Sequence, residues 1–309
     1  MNSTTNPPDA FPGHDSGQWA PVASEVVASW PRGHFAENLA IDSTGAVYVS
    51  LHSHNRIDRF DPKTGKVEEF VRLTAPAAGL AFDAAGSLWV TGGAAGKAPG
   101  YIWRIRSGEP ELWVEIPDAL FMNGSTPHPD GRTLLVCESV TGRILAIDQK
   151  EKRWSVWLQD DRLRPKAQQR SGANGIKLRD GWVWISVTDL DRIVRSKIAA
   201  DGRAGPMEVV AENLHADDFA FGESGTAYIA THPAQTVMRL HTDGRRETIV
   251  GPDEGAVGCT ACAFGRGSED RQSLYVTTTG GLLYPYRGAV QEAKLLRLNV
   301  GEGGQPLLP

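Results

Sequence analysis

Four residues able to ligate a hard cation stand at matching places in a repeated segment: Glu37 in AENLAID, Asn123 in FMNGSTPHPDG, Asn174 in GANGIKL and Asp217 in HADDFAF. Ala78 in PAAGLAF and Thr260 in GCTACAF hold the same place in two further copies. Two carboxylates and two carboxamides offer oxygen only, with no thiolate or imidazole among them. That is a donor set for Ca²⁺, Mg²⁺ or Mn²⁺, and a less favoured one for Zn²⁺. Asn and Asp also open strands and turns, where their side chains bond the local backbone. Several of them converging on one axis are costly to bury unless something satisfies them together, and a cation does so directly.

Each copy reads as a short alternating apolar strand, a Gly turn, and a second strand centred on an aromatic residue or Leu, which is the pattern of a hairpin. The six anchor positions 37, 78, 123, 174, 217 and 260 are separated by 41, 45, 51, 43 and 43 residues. A period near 43 is the length of a propeller blade. Segments such as NRIDRFD and GRILAID supply third strands, and KVEEFVRL and RWSVWLQ supply outer ones. A sixth outer strand is missing after KLLRLNV, whereas an unpaired SEVVASW (24–30) precedes the first hairpin. The expected fold is therefore all-β: a six-bladed β-propeller with four antiparallel strands per blade, its ring closed by the N-terminal strand joining the last blade. Residues 1–20, polar and rich in Pro and Ser, read as a flexible tail before a single domain spanning 21–309.

Composition narrows the function classes. A formal net charge of -5 without a basic block disfavours nucleic acid as a partner, and no stretch has the length of apolar residues that a membrane span needs. The N-terminus has no leader pattern, so the expected compartment is the cytoplasm, and a closed ring with few edges suggests a monomer. Three cysteines, Cys137, Cys259 and Cys262, are too few for a disulfide framework. Positions 259 and 262 differ by an odd number and should face opposite ways on a strand, which favours core cysteines over a metal or redox pair. No GxSxG, HExxH or phosphate-binding Gly loop is present. The aromatic residues Tyr48, Trp89, Trp184, Tyr228 and Tyr275 recur at one module position and read as packing between blades.

From about 24 to 300, the hairpins and the series Glu37, Asn123, Asn174, Asp217 resemble the senescence marker protein (regucalcin)/gluconolactonase family of six-bladed propellers. The resemblance implies one divalent metal, Ca²⁺ first with Mg²⁺, Mn²⁺ or Zn²⁺ as alternatives, held by Glu37, Asn174 and Asp217. It also implies that Asn123 meets substrate or a metal-bound water. Two motifs depart from the family's pattern, at three positions: its Glu-Gly-Pro is Glu37-Asn38-Leu39 here, and its Asp-Gly is Asp217-Asp218. Alternation along a strand would turn Asp217 and Asp218 opposite ways, and Asp217 aligns with Glu37.

The activity implied is hydrolysis of a lactone or related ester of a small molecule, with Asp217 as general base and a hydroxy acid as product. Segments joining second to third strands should emerge at the same mouth, which makes His52, Glu138, Asp189, His232 and Tyr284 candidate substrate contacts beside Asn123. The Gly-rich stretches 92–100 and 280–292 read as rims or lids. Two other readings keep the fold and the metal: a lyase or isomerase, and a non-catalytic scaffold in which the metal ties blades together.

Overall fold

The apolar alternation of the repeats builds six sheets of four antiparallel strands, one blade per copy, in a computed structural model that describes residues 17–166 and 171–306. Only short 3₁₀ turns interrupt the strands. The inner strands are Ala36–Ile41, Ala77–Phe82, Met122–Pro127, Ala173–Arg179, Phe219–Phe221 and Cys259–Phe264. Each touches the next around the ring, and the sixth touches the first. As expected, Ser24–Trp30 closes the ring, pairing antiparallel with Ala293–Asn299 as the outer strand of blade six. Of the segment read as a tail, residues 1–16 lie outside the described residues. Gln18–Trp19 instead pair in parallel with Arg246–Val250 on the outside of blade five.

Six apolar clusters hold the ring, each shared by two neighbouring blades. The recurrent aromatic residue sits in these seams: Tyr48 meets Phe82 of blade two edge-on at 5.2 Å, Trp184 meets Phe221 of blade five at 5.2 Å, and Tyr228 meets Phe264 of blade six at 5.2 Å. Such edge-to-face pairs add to the burial of their large surfaces.

The inner strands are not regular where they reach the mouth. Their pairing with the second strand skips between Ala36 and Asn38, Ala77 and Leu80, Met122 and Ser125, Ala173 and Ile176, and Cys259 and Ala261. In blade five the same extra residue appears as Asp217 and Asp218 both opposing Ala230, whose backbone they share through two hydrogen bonds of 2.9 Å. A β-bulge leaves its extra residue out of the ladder and re-aims the side chains around it. Hydroxyls from the second strands then fill the bulges: Ser50 Oγ accepts from Asn38 N and donates to Ala78 O of the next blade, Thr91 does the same between Gly79 and Asn123, and Ser186 between Gly175 and Asp217. The hydroxyls thus satisfy the interrupted backbone and latch one blade to the next at the level of the candidate ligands.

The bulge corrects the expectation for the cysteines. With an extra residue at Thr260, Cys259 and Cys262 lie in the same core between blades five and six, both buried and unbridged. Burial pushes both thiols well above the ordinary range, so the pair is inert packing. Among the described residues, no helix is long and apolar enough to cross a membrane.

Candidate functional site

Strand direction places the bulge residues at one mouth of the channel and the inner hairpin turns at the other. Glu37, Asn123, Asn174 and Asp217 all sit at the first mouth, each less than a tenth exposed. Asn174 Nδ2 donates to Asp217 Oδ1 at 2.6 Å and to Thr188 Oγ1 at 3.0 Å, while no described residue donates to its Oδ1. His232 Nδ1 meets the other oxygen, Asp217 Oδ2, at 3.0 Å, and His232 Nε2 is buried without a partner. Asn123 Nδ2 is likewise buried and unpartnered. The Glu37 carboxyl accepts no hydrogen bond from any described residue. Burial first, then the charges of Asp217 and Asp218, push its pKa well above the carboxylate range. Burial also raises Asp217, with His232 and Asn174 pulling the other way.

Asp218 does not turn away from the axis as simple alternation would have it. The bulge brings both acids inward, one level apart. Asn38 Nδ2 donates to Asp218 Oδ2 at 3.1 Å, Phe219 N donates to Oδ1 at 2.8 Å, and Lys177 Nζ forms an ion pair with Oδ1. Gly175 has no room for a Cβ, because the Asp218 carboxylate and Cα occupy that space. Two of the three positions at which the sequence departs from that pattern, Asn38 and Asp218, are therefore bonded to each other across the channel. Lys177 neutralises the added acid. What remains at the mouth is a formal charge of minus two from Glu37 and Asp217, with carboxamide oxygens beside it.

That arrangement fits a divalent hard cation: two buried carboxylates repel each other, one of them has no donor among the described residues, and Glu37, Asn123, Asn174 and Asp217 all offer oxygen. Among the described residues no three His, Cys, Asp or Glu side chains form a metal-holding group by themselves, so the fit depends on the two asparagines.

Of the other residues read as substrate contacts, His52, His232 and Tyr284 gather at this mouth. His52 Nδ1 meets Ala77 O at 2.9 Å, and burial keeps the ring from protonating readily. Tyr284 stands edge-on to His232 at 5.9 Å, and its carbonyl accepts from Gln235 Nε2 at 3.1 Å, which ties the 280–292 segment to blade five. Two aromatic residues that the sequence reading passed over complete the wall. Phe35 lies 6.0 Å from His52 and 5.7 Å from His232, and Phe121 lies 6.0 Å from His52. Both occur two residues before a ring position, in F-A-E and F-M-N, which is the signal that would have found them.

Glu138 and Asp189 leave the set. Glu138 is fully buried, and its carboxylate accepts from the backbone N–H groups of Leu120, Phe121 and Thr141 and from the Thr141 hydroxyl. It fixes the link into blade three and has no oxygen to spare for a ligand. Asp189 Oδ2 accepts from Lys166 N at 2.6 Å, so its carboxylate anchors the link into blade four. Glu138→Ala is expected to cost about 3 kcal/mol in denaturant unfolding, since it strands several buried donors at once. A variant of normal stability with altered ligand binding would return Glu138 to the mouth.

No protein-family model matches the chain, and no curated protein matches it. Solved structures do. A luciferin-regenerating enzyme superposes with a TM-score of 0.72 at 16% identity over 92% of this chain and 97% of that one. The calcium-binding protein regucalcin from Agrobacterium tumefaciens gives 0.70 at 17% identity over 94% and 97%. A gluconolactonase from Xanthomonas campestris gives 0.68 at 16% identity over 95% and 94%. Three proteins so differently described share an architecture, and at such identities the likeness carries the fold and not the reaction. By architecture, then, this chain is a six-bladed β-propeller of the form shared by regucalcin and gluconolactonase.

Proposed function

We propose that the mouth binds one divalent cation, Ca²⁺ first, through Glu37, Asn174, Asp217 and Asn123, and that it hydrolyses a lactone or related ester of a small molecule. The observation that carries this reading is the Glu37 carboxyl: buried, without a hydrogen-bond donor among the described residues, and held against two further acids of which only one has its own cation. A bound divalent cation would supply Lewis-acid polarisation of an ester carbonyl. The residues around it supply the rest. Asn174 and His232 fix both oxygens of Asp217, whose raised proton affinity suits a general base. Water attacks the acyl carbon and gives its proton to Asp217. The acyl carbon–oxygen bond then breaks, and the departing alkoxide recovers that proton, leaving a hydroxy acid. Phe35, Phe121, His52 and Tyr284 form an apolar wall that suits the carbon skeleton of a small ester and restricts water around it.

The test is elemental analysis of the purified protein beside Asp217→Ala, followed by acid release from a panel of lactones with and without added Ca²⁺, Mg²⁺, Mn²⁺ and Zn²⁺. Near-stoichiometric metal that the variant loses, with metal-dependent acid release, is the expected result. Metal without any acid release would leave the scaffold alternative standing, and no metal under any condition would overturn the site.

A further inference from the structure

The opposite end of the channel is not a blank face. A cavity of about 840 Å³ opens there among the inner hairpin turns of blades one to three, with Lys177, Arg266 and Gln305 on its far side. This is ample for a small organic ligand. Its charges are unbalanced. The two acids that line it, Asp42 and Asp83, are spent on their own turns: Asp42 accepts from Thr44 N, Ala46 N and the Tyr48 hydroxyl, and Asp83 from Ser87 N and Trp89 Nε1. Lys177 is paired with Asp218, but the other three cations have no acid partner among the described residues. Arg106 donates only to the Ser87 hydroxyl, at 2.9 Å, and among the described residues the side chains of Lys150 and Arg266 meet no acid within ion-pair distance. Arg266 lines the cavity with its side chain exposed, and neighbouring protein atoms pull its proton affinity down while the charge of Asp42 pulls it up. Three cations against two carboxylates, on a chain of net charge -5, leave this cavity with an excess of positive charge that an anion would balance.

Two more side chains lining this cavity hold a polar atom without a partner, although His128 Nδ1 accepts from Asp130 N at 3.3 Å. His128, which is 7% exposed, has a buried and unpartnered Nε2, and so does the amide nitrogen of Gln149. Buried polar atoms without partners are uncommon in folded proteins, and each asks for a ligand or an ordered water. The remaining wall is apolar and aromatic: Phe70 and Phe82 stand edge-on to Tyr48 at 4.9 and 5.2 Å, with Leu88 and Ile105 beside them.

We propose that this far mouth is a second small-molecule site, built for an organic anion, a carboxylate or phosphate ester, that carries a flat apolar body. The anionic group sits against Arg266, Lys150 and Arg106, and the body lies on the Tyr48, Phe70 and Phe82 wall. The site is independent of the cation at the first mouth.

Anilinonaphthalene sulfonate combines an anionic group with an aromatic body and reports its own binding by fluorescence. The folded protein is expected to bind it saturably at one site, and more weakly as salt rises. Arg266→Glu is expected to weaken binding at least about tenfold, as is Lys150→Glu, whose side chain makes no contact that folding needs. Glu37→Gln, at the other mouth, is expected to bind the dye as the parent does. Dye binding that ignores both charge reversals, or that Glu37→Gln abolishes, or no saturable binding, would overturn the proposal. The two reversals together guard against a misfolded single variant, and unchanged thermal unfolding of either makes its result decisive.

Discussion

Lys177→Met is expected to destabilise the protein by about 3 kcal/mol, and adding Asp218→Asn to it is expected to recover most of that loss. The Asp218 carboxylate is nearly fully buried, with only the Lys177 ammonium to balance it, and Asn38 and the Phe219 N–H as neutral donors. Removing one member of a buried ion pair strands the other, a loss of about 3–5 kcal/mol. The lower end applies because the Lys177 side chain is 27% exposed, where it reaches the far cavity, and part of its charge is solvated in any case. The converse change, Asp218→Asn alone, should cost less, since an amide keeps its bond to Asn38 and the freed lysine can hydrate. Denaturant midpoints at constant slope for the two single variants and the double give the coupling directly. Equal and small losses for both singles would mean that Asp218 carries no charge in the fold. In Lys177→Met the mouth would also hold three uncompensated acids instead of two, so added Ca²⁺ should restore part of the lost stability.

Much of this was legible in the residues. Six copies at a blade's period, a Gly turn in each, and an orphan strand before the first hairpin were enough for the ring and its closure. Four oxygen donors at one module position were enough to mark the mouth. What the sequence hides is the bulge. A single unpaired residue at each mouth position shifts the alternation by one, and that alone places Asp218 beside the axis and Cys262 in the same seam as Cys259. Nor is Glu138 separable by pattern from a mouth residue. It ends its strand as a ligand would, and only the backbone folded round it shows that its oxygens are taken. The pairing of Asn38 with Asp218 spans 180 positions, so two of the departures from a family pattern become one compensated change only once the ring brings blades one and five together across the channel.

The second large effect follows from Glu37. Because its pKa is raised in the fold above the ordinary 4.5, the folded metal-free protein holds that proton more tightly than the unfolded chain does. Stability from this source is fully present below about pH 4.5 and is lost as pH rises through the raised value, the reverse of the usual salt-bridged carboxylate. Asp217, also raised, adds to the same slope. Metal-free protein is therefore expected to unfold more easily at pH 8 than at pH 5.5, and Ca²⁺ is expected to help more at pH 8, where the acids are ionised and free to bind it. Glu37→Gln keeps the shape of the side chain and removes its charge. At pH 8 and without metal it should be more stable than the parent, with a shallower dependence on pH. It should also lose the gain that a saturating ion confers, which is about 2.7 kcal/mol at a hundredfold excess over Kd. This stability gained at the expense of binding is the signature of a site strained for its ligand. Calorimetric scans of both proteins at the two pH values, with chelator and with Ca²⁺, check all of this. A Glu37→Gln variant that still responds to Ca²⁺ as the parent does, or that is less stable than the parent without it, would show that Glu37 is neither a ligand nor a source of strain.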